Sequence, residues 1–170
     1  MKRIVILGGK ESGAGAAVLA KKKGFKVFVS DRGKIEEKYK KVLLQNEVEF
    51  EEDKHSEKLI LNADEVIKSP GIPNDSELIV KLKQKEIPII SEIEFAGRYA
   101  DGKIIGITGS AGKTTTTLLI YHILKRAGLD VALAGNIGNV TFMGEQTGGC
   151  LASVVAKGTH DFYVVELSSF

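Results

Sequence analysis

Apolar residues in this chain fall into short unbroken runs, separated by longer stretches where they recur with helical spacing. The runs are residues 3–7 (RIVIL), 26–30 (KVFVS), 65–68, 87–90, 104–107, 131–134 and 162–166, with a shorter one at 48–50. Runs of this length, rich in Val and Ile and bounded by Gly, Pro or Asp, suit parallel strands buried on both faces. Between them, residues 12–23 place Ala16, Ala17, Leu19 and Ala20 on one helical side, and Gly24 closes that helix. Residues 34–46, 57–61 and 76–85 read as further helices. Residues 92–99 form another, begun by Ser91 with Glu94 at capping-box spacing. Such alternation predicts an α/β fold with a Rossmann-like doubly wound parallel sheet, followed by the start of a second, P-loop α/β unit. Asp101-Gly102 marks the boundary, giving domains at 1–100 and 101–170.

Composition narrows the function classes. The chain has 170 residues, 43% hydrophobic and 27% charged, within the ordinary range for a globular protein. Its net charge is +2, and its lysine clusters sit in helical patterns that read as solvated faces, so no nucleic-acid partner is expected. One cysteine, Cys150, excludes an internal disulfide. No apolar run is long enough for a membrane span, and the N-terminus runs straight into a strand with no signal-peptide pattern. A cytoplasmic location is expected. Cys150, His55, His122 and His160 lack the partner spacing of a metal site or a triad and read as structural.

The strongest chemical signal lies at residues 103–127. A strand runs into Thr108-Gly109-Ser110-Ala111-Gly112-Lys113-Thr114-Thr115, and a long apolar helix follows through Leu124. Strand, glycine loop, Lys-Thr and helix in that order form a phosphate-binding loop. Glycines let the backbone approach phosphate oxygens, and the helix start offers its amides and dipole. Lys113 would reach the outer phosphates, and the Thr114 hydroxyl would reach Mg²⁺. The first half opens with a second glycine turn, Gly8-Gly9, with Asp31 at the end of the next strand. That is a Rossmann-like start. The dinucleotide fingerprint is broken by Lys10, so the pattern points to a nucleotide-type ligand without selecting NAD. The rigid turn Ser69-Pro70-Gly71 follows another strand end, on the edge where such sheets bind ligands. Gly135-Asn136-Ile137-Gly138 makes a tight turn able to present one amide, and Glu166 ends a strand opposite the loop, where a carboxylate could share Mg²⁺ with Thr114.

These spellings resemble the Mur ligases, the amide-forming enzymes of peptidoglycan precursor synthesis. The resemblance rests on the T-G-x-x-G-K-T loop, on Gly135-Asn136-Ile137-Gly138, on Ser69-Pro70-Gly71 and on Glu166-Leu167-Ser168-Ser169-Phe170. The last two favour the branch that adds D-glutamate. It implies an ATP- and Mg²⁺-dependent ligase that activates the carboxylate of UDP-N-acetylmuramoyl-L-alanine as an acyl phosphate, which the amine of D-glutamate then attacks. By resemblance, Gly109, Ser110, Ala111, Gly112, Lys113, Thr114 and Thr115 would hold ATP. Thr114 and Glu166 would hold the metal. Ser12, Gly13, Asp31, Ser69, Pro70, Gly71 and Asn136 would hold the UDP-sugar, with Asp31 at the uracil end. Lys113 and Asn136 would serve the reaction itself.

Two residues depart from the family's spelling: Lys10 and Ala111. Residues 139–161, rich in glycine around 144–149, read as a flexible loop insertion. The resemblance covers the front part of such an enzyme, so this chain alone is expected to be inactive, with a stable first half and a looser second half. The parent enzyme is expected to be a monomer. Another Mur ligase, a nonenzymatic nucleotide-binding module and a nicotinamide-dependent redox module stand as alternatives, the last weakened by the broken fingerprint.

Overall fold

The computed structural model describes residues 1–168. The first five strands, β1 (Arg3–Leu7), β2 (Lys26–Ser30), β3 (Glu49–Glu51), β4 (Glu65–Lys68) and β5 (Ile89–Ile90), form one parallel sheet in the order β3-β2-β1-β4-β5. The chain winds outward from β1 in both directions, so the crevice between β1 and its neighbours is the topological switch point. Both faces are covered, as the unbroken apolar runs require. Ile4 and Ile6 point to the side covered by α1 (Glu11–Lys22), while Val5 and Leu7 meet Ile60, Ile79 and Leu82 on the other. Those three belong to α3 (Glu57–Ile60) and α4 (Glu77–Gln84).

The helix α2 (Glu37–Gln45) starts three residues later than its charge pattern suggests. Ile35 is buried, and its amide donates to Glu52 at 2.9 Å, which holds the segment before the helix extended. In α5 (Glu92–Gly97), the Ser91 hydroxyl accepts from the Glu94 amide at 3.1 Å, so the cap forms. The Glu94 carboxylate pairs with Arg98 instead of closing the box.

A second parallel sheet places β10 (Phe162–Glu166) between β6 (Lys103–Ile107) and β7 (Val131–Gly135). The helix α6 (Lys113–Arg126) links β6 to β7. Residues 139–161 are not the flexible insertion that their glycines suggest. An antiparallel hairpin, β8 (Asn139–Phe142) and β9 (Glu145–Gly148), leads into the buried helix α7 (Leu151–Lys157). Phe142 anchors the hairpin by edge-on contacts with Tyr121 and His122 of α6, at ring distances of 6.1 Å each.

Helix α7 ties the two sheets together. It packs on α1 and α5, and one continuous cluster joins Ile4, Ile6, Ala16 and Phe95 to Ala134, Leu151, Val154 and Tyr163. At the junction the Glu92 carboxylate, buried on α5, accepts from the Ala152 amide at 2.5 Å, satisfying one orphan donor at the start of α7. Burial pushes the Glu92 carboxyl up to about 7, against the pull of the Ala152 amide and the Cys150 thiol, and Glu11 on α1 adds to the rise. Burial likewise pushes the Cys150 thiol up to about 12, which leaves it inert as a nucleophile.

Candidate functional site

The first glycine turn, the end of β2 and the turn after β4 meet around a cavity of about 380 Å³ at the carboxyl edge of the first sheet. Of the residues singled out in the sequence, Ser12, Asp31, Ser69, Pro70 and Gly71 line it. Gly13 lies behind it, buried, where a Cβ would collide with the Gly8 carbonyl. Its place is therefore set by the close approach of α1 to the end of β1. Lys10 at the N-cap of α1 makes no side-chain cap, so the first amides of the helix stay turned toward the turn that lines the cavity. Asp31 organises the rim: its carboxylate accepts from the Gly9 amide at 2.6 Å and the Gly33 amide at 2.8 Å. Lys68 braces the Ser69-Pro70-Gly71 turn from beneath, donating to the carbonyls of Ile72 at 2.6 Å and Ser69 at 3.3 Å. Burial lowers its pKa, as does nearby Lys83.

Lys10, which breaks the dinucleotide fingerprint, lines the cavity too, and three further lining residues carry no sequence signal of their own: Glu11, Arg32 and His55. A wider hollow of about 640 Å³ opens at the amino ends of β6, β7 and β10, around Asp101, Asp130 and His160, and none of the candidate site residues lines it. The smaller cavity is the better candidate because the sheet's ligand edge and the turns converge on it.

The second cluster sits at the carboxyl edge of the β6-β10-β7 sheet. Gly112 adopts a left-handed conformation (φ 73°) at the start of α6, which turns the chain from loop into helix where a Cβ would be strained. Lys113 Nζ donates to the Gly109 carbonyl at 2.9 Å, so the side chain folds back over its own loop. Gly109, Ser110, Ala111, Gly112, Thr114 and Thr115 are exposed along this stretch. Glu166 stands in register with Ile107, the residue before the loop, and with Gly135 on its other side. Its carboxylate is buried, and Oε2 has no hydrogen-bond partner among the described residues. A buried carboxylate oxygen without a donor is costly unless a cation meets it, so this residue fits a Mg²⁺ ligand. No group of three or more His, Cys, Asp or Glu among the described residues could hold a metal by itself. Oxygens from a phosphate would have to complete the shell.

Asn136 follows β7 with its amide side chain exposed, its own N–H fixed to the Glu166 carbonyl at 2.7 Å. Three residues on, Asn139 Nδ2 donates to Glu11 Oε1 at 3.1 Å. That bond joins the start of β8, just past the turn after β7, to the rim of the first cavity. Of the pentapeptide at 166–170, Ser169 and Phe170 lie outside the described residues.

Residues 3–78 match the family described as "MurD N-terminal domain", and residues 107–170 match the "Mur ligase middle domain". Together the two account for most of the chain. The chain belongs to the Mur ligase family. This Mur ligase chain is 64% identical over 170 residues to a protein of Bacteroides thetaiotaomicron named "UDP-N-acetylmuramoylalanine--D-glutamate ligase", covering 100% of the chain and 36% of that relative. A Porphyromonas gingivalis protein of the same name is 54% identical over 167 residues, 98% of the chain and 35% of its own length. The chain thus spans about a third of the length of the curated relatives it matches.

Solved structures share the fold. A murein peptide ligase from Psychrobacter arcticus superposes with a TM-score of 0.68 at 23% identity, over 98% of this chain and 37% of that one. The UDP-N-acetylmuramate-alanine ligase of Thermotoga maritima gives 0.57 at 21% identity, over 98% and 36%.

Proposed function

We propose that this chain forms the UDP-sugar-binding domain (1–100) and the leading part of the ATP-binding domain (101–170) of an ATP-dependent ligase. That enzyme would join D-glutamate to UDP-N-acetylmuramoyl-L-alanine. The observation that carries the reading is the Glu11–Asn139 bond, which brings the nucleotide-type cavity and the turn bearing Asn136 onto one side of the molecule. The names of the relatives supply the substrates.

In this reading the diphosphate lies over the uncapped start of α1, between Ser12 and the Ser69-Pro70-Gly71 turn, with the uracil end toward Asp31. The loop amides from Gly109 to Thr115 and the Lys113 ammonium hold the outer phosphates of ATP. Thr114 and Glu166 would hold Mg²⁺, whose charge, when bound, would offset that of the phosphates. The substrate carboxylate takes the γ-phosphoryl group, ADP leaves, and the D-glutamate amine then displaces phosphate from the acyl carbon. Asn136 orients that carboxylate through its amide. The gain is chiefly positional, since two charged reactants must be held in one near-attack geometry.

The substrates are small molecules, the location is cytoplasmic, and the whole enzyme works as a monomer with no nucleic-acid or membrane partner. Among the described residues no helix is long and apolar enough to cross a membrane.

Titration calorimetry of this chain with UDP-N-acetylmuramoyl-L-alanine tests the reading. Binding without ATP is expected, together with no binding of NAD. Binding of NAD in place of the UDP-sugar would overturn it.

A further inference from the structure

His55 lines the 380 Å³ cavity beside Asp31 and Arg32, although nothing in the sequence around it marks a ligand contact. Its ring is held by a chain of hydrogen bonds from the strands beneath. Ser30, fully buried at the end of β2, places its Oγ 2.7 Å from His55 Nδ1 and 2.7 Å from Glu51 Oε1. Glu51 in turn accepts from the Ser56 amide at 2.7 Å and the Ser56 hydroxyl at 2.6 Å. Burial pushes the Glu51 carboxyl up, but the Ser56 amide and hydroxyl and the Ser30 hydroxyl outweigh it and hold the group below its ordinary range. It is therefore a carboxylate at neutral pH and can only accept.

That fixes the proton on the ring. Ser30 has a single hydroxyl hydrogen; of its two acceptors, the Glu51 carboxylate at 2.7 Å and the Lys54 carbonyl at 3.4 Å, the shorter and charged one takes it. The Ser30 oxygen is then left to accept, so His55 Nδ1 must carry the hydrogen. Burial lowers the His55 pKa, and Arg32 lowers it further, against the opposite pull of Glu51 and Asp31. The neutral ring has one remaining polar atom, Nε2, a lone-pair acceptor with no partner among the described residues. Of the other polar groups at this end of the cavity, the Asp31 carboxylate already accepts from the Gly9 and Gly33 amides and the Arg32 guanidinium can only donate. Nε2 can accept from a ligand.

We propose that His55 is a specificity-determining residue whose Nε2 accepts a hydrogen bond from the nucleoside end of the UDP-type ligand. The donor is either the imide N–H of the base or a ribose hydroxyl. The proposal rests on the cavity being the UDP site. Ser30 and Glu51 act as positioning residues that hold the ring in the accepting tautomer.

The test uses the full 170-residue chain and UDP as the probe, with N3-methyl-UDP and 2′-deoxy- and 3′-deoxy-UDP as analogues that each lack one donor. Wild type should lose affinity for one of these analogues. His55→Phe, which keeps a ring but removes the acceptor, should bind UDP about 3–10-fold more weakly, the range of one neutral hydrogen bond. It should also bind that analogue no worse than UDP. The analogue that loses its penalty identifies the donor. If the analogue penalties persist unchanged in His55→Phe, this proposal fails while the UDP reading stands. If wild type does not bind UDP, both fail. His55→Ala serves as a second variant, with circular dichroism confirming that each is folded. Long-range proton–nitrogen NMR of wild type gives an independent reading. Nδ1–H in the free chain and a shift at Nε2 on adding UDP are expected, and an Nε2–H tautomer would overturn the assignment.

Discussion

In the proposed ATP site, Lys113 is the side chain expected to bear most on nucleotide affinity. Its ammonium already spans back to Gly109, so the loop and its cation form one preassembled cradle. Charge-assisted hydrogen bonds to phosphate are worth roughly 1.5–3 kcal/mol. Lys113→Ala should therefore weaken Mg²⁺-ATP binding by about 10-fold or more, read by titration against wild type, both shown folded. Equal affinities would remove the loop from the ATP site. The strand, glycine turn and helix around Lys113 were legible in the sequence because every part is local: strand, glycines, Lys-Thr and helix lie within 25 contiguous residues. His55 was not, because its role depends on Ser30, 25 positions away, and on a carboxylate from a third strand. Glu11 was hidden for the same reason. Its partner Asn139 is 128 positions further on, and at the start of a helix a glutamate reads simply as a favourable dipole contact.

Among the elements, the strands followed the sequence closely, since runs buried on both faces leave little room for another reading. The hairpin at residues 139–148 did not. Its glycines suggest mobility, but its order comes from Phe142 packing on α6, a tertiary contact that overrides local propensity. Helix α7 is set by a tertiary contact as well, and its start carries a pH dependence. The Glu92 carboxyl that caps it has its pKa raised to about 7, so the folded chain holds a proton that the unfolded chain releases. Stability from this group is then fully present below the ordinary carboxylate value and is lost as pH rises through about 7. Glu92→Gln keeps an acceptor for the Ala152 amide and removes the charge. Relative to wild type, this variant should gain about 1–3 kcal/mol between pH 5 and pH 8. Urea unfolding at both pH values gives the comparison. The same offset at each would mean that Glu92 titrates as an ordinary exposed carboxylate.

The two sheets match two separate domain families, yet their buried residues form one cluster across α1, α5 and α7. A stable first half with a looser second half does not follow from that arrangement. Helix α1 packs on α7, and at Gly15 a Cβ would collide with Cys150, so the halves meet at close packing distance. Such contact couples the free energies of the two sheets, because opening one exposes the apolar face of the other. Leu151, fully buried at the head of α7, is the residue through which to test this. Leu151→Ala should cost about 2–5 kcal/mol. Its effect should reach both sheets alike, with amide exchange at Ile6 in β1 and Val164 in β10 accelerating by similar factors and thermal unfolding remaining a single transition. Were Ile6 to keep its wild-type protection while Val164 lost its own, the halves would be unfolding independently, and the shared core would be a contact surface with little cooperative energy in it.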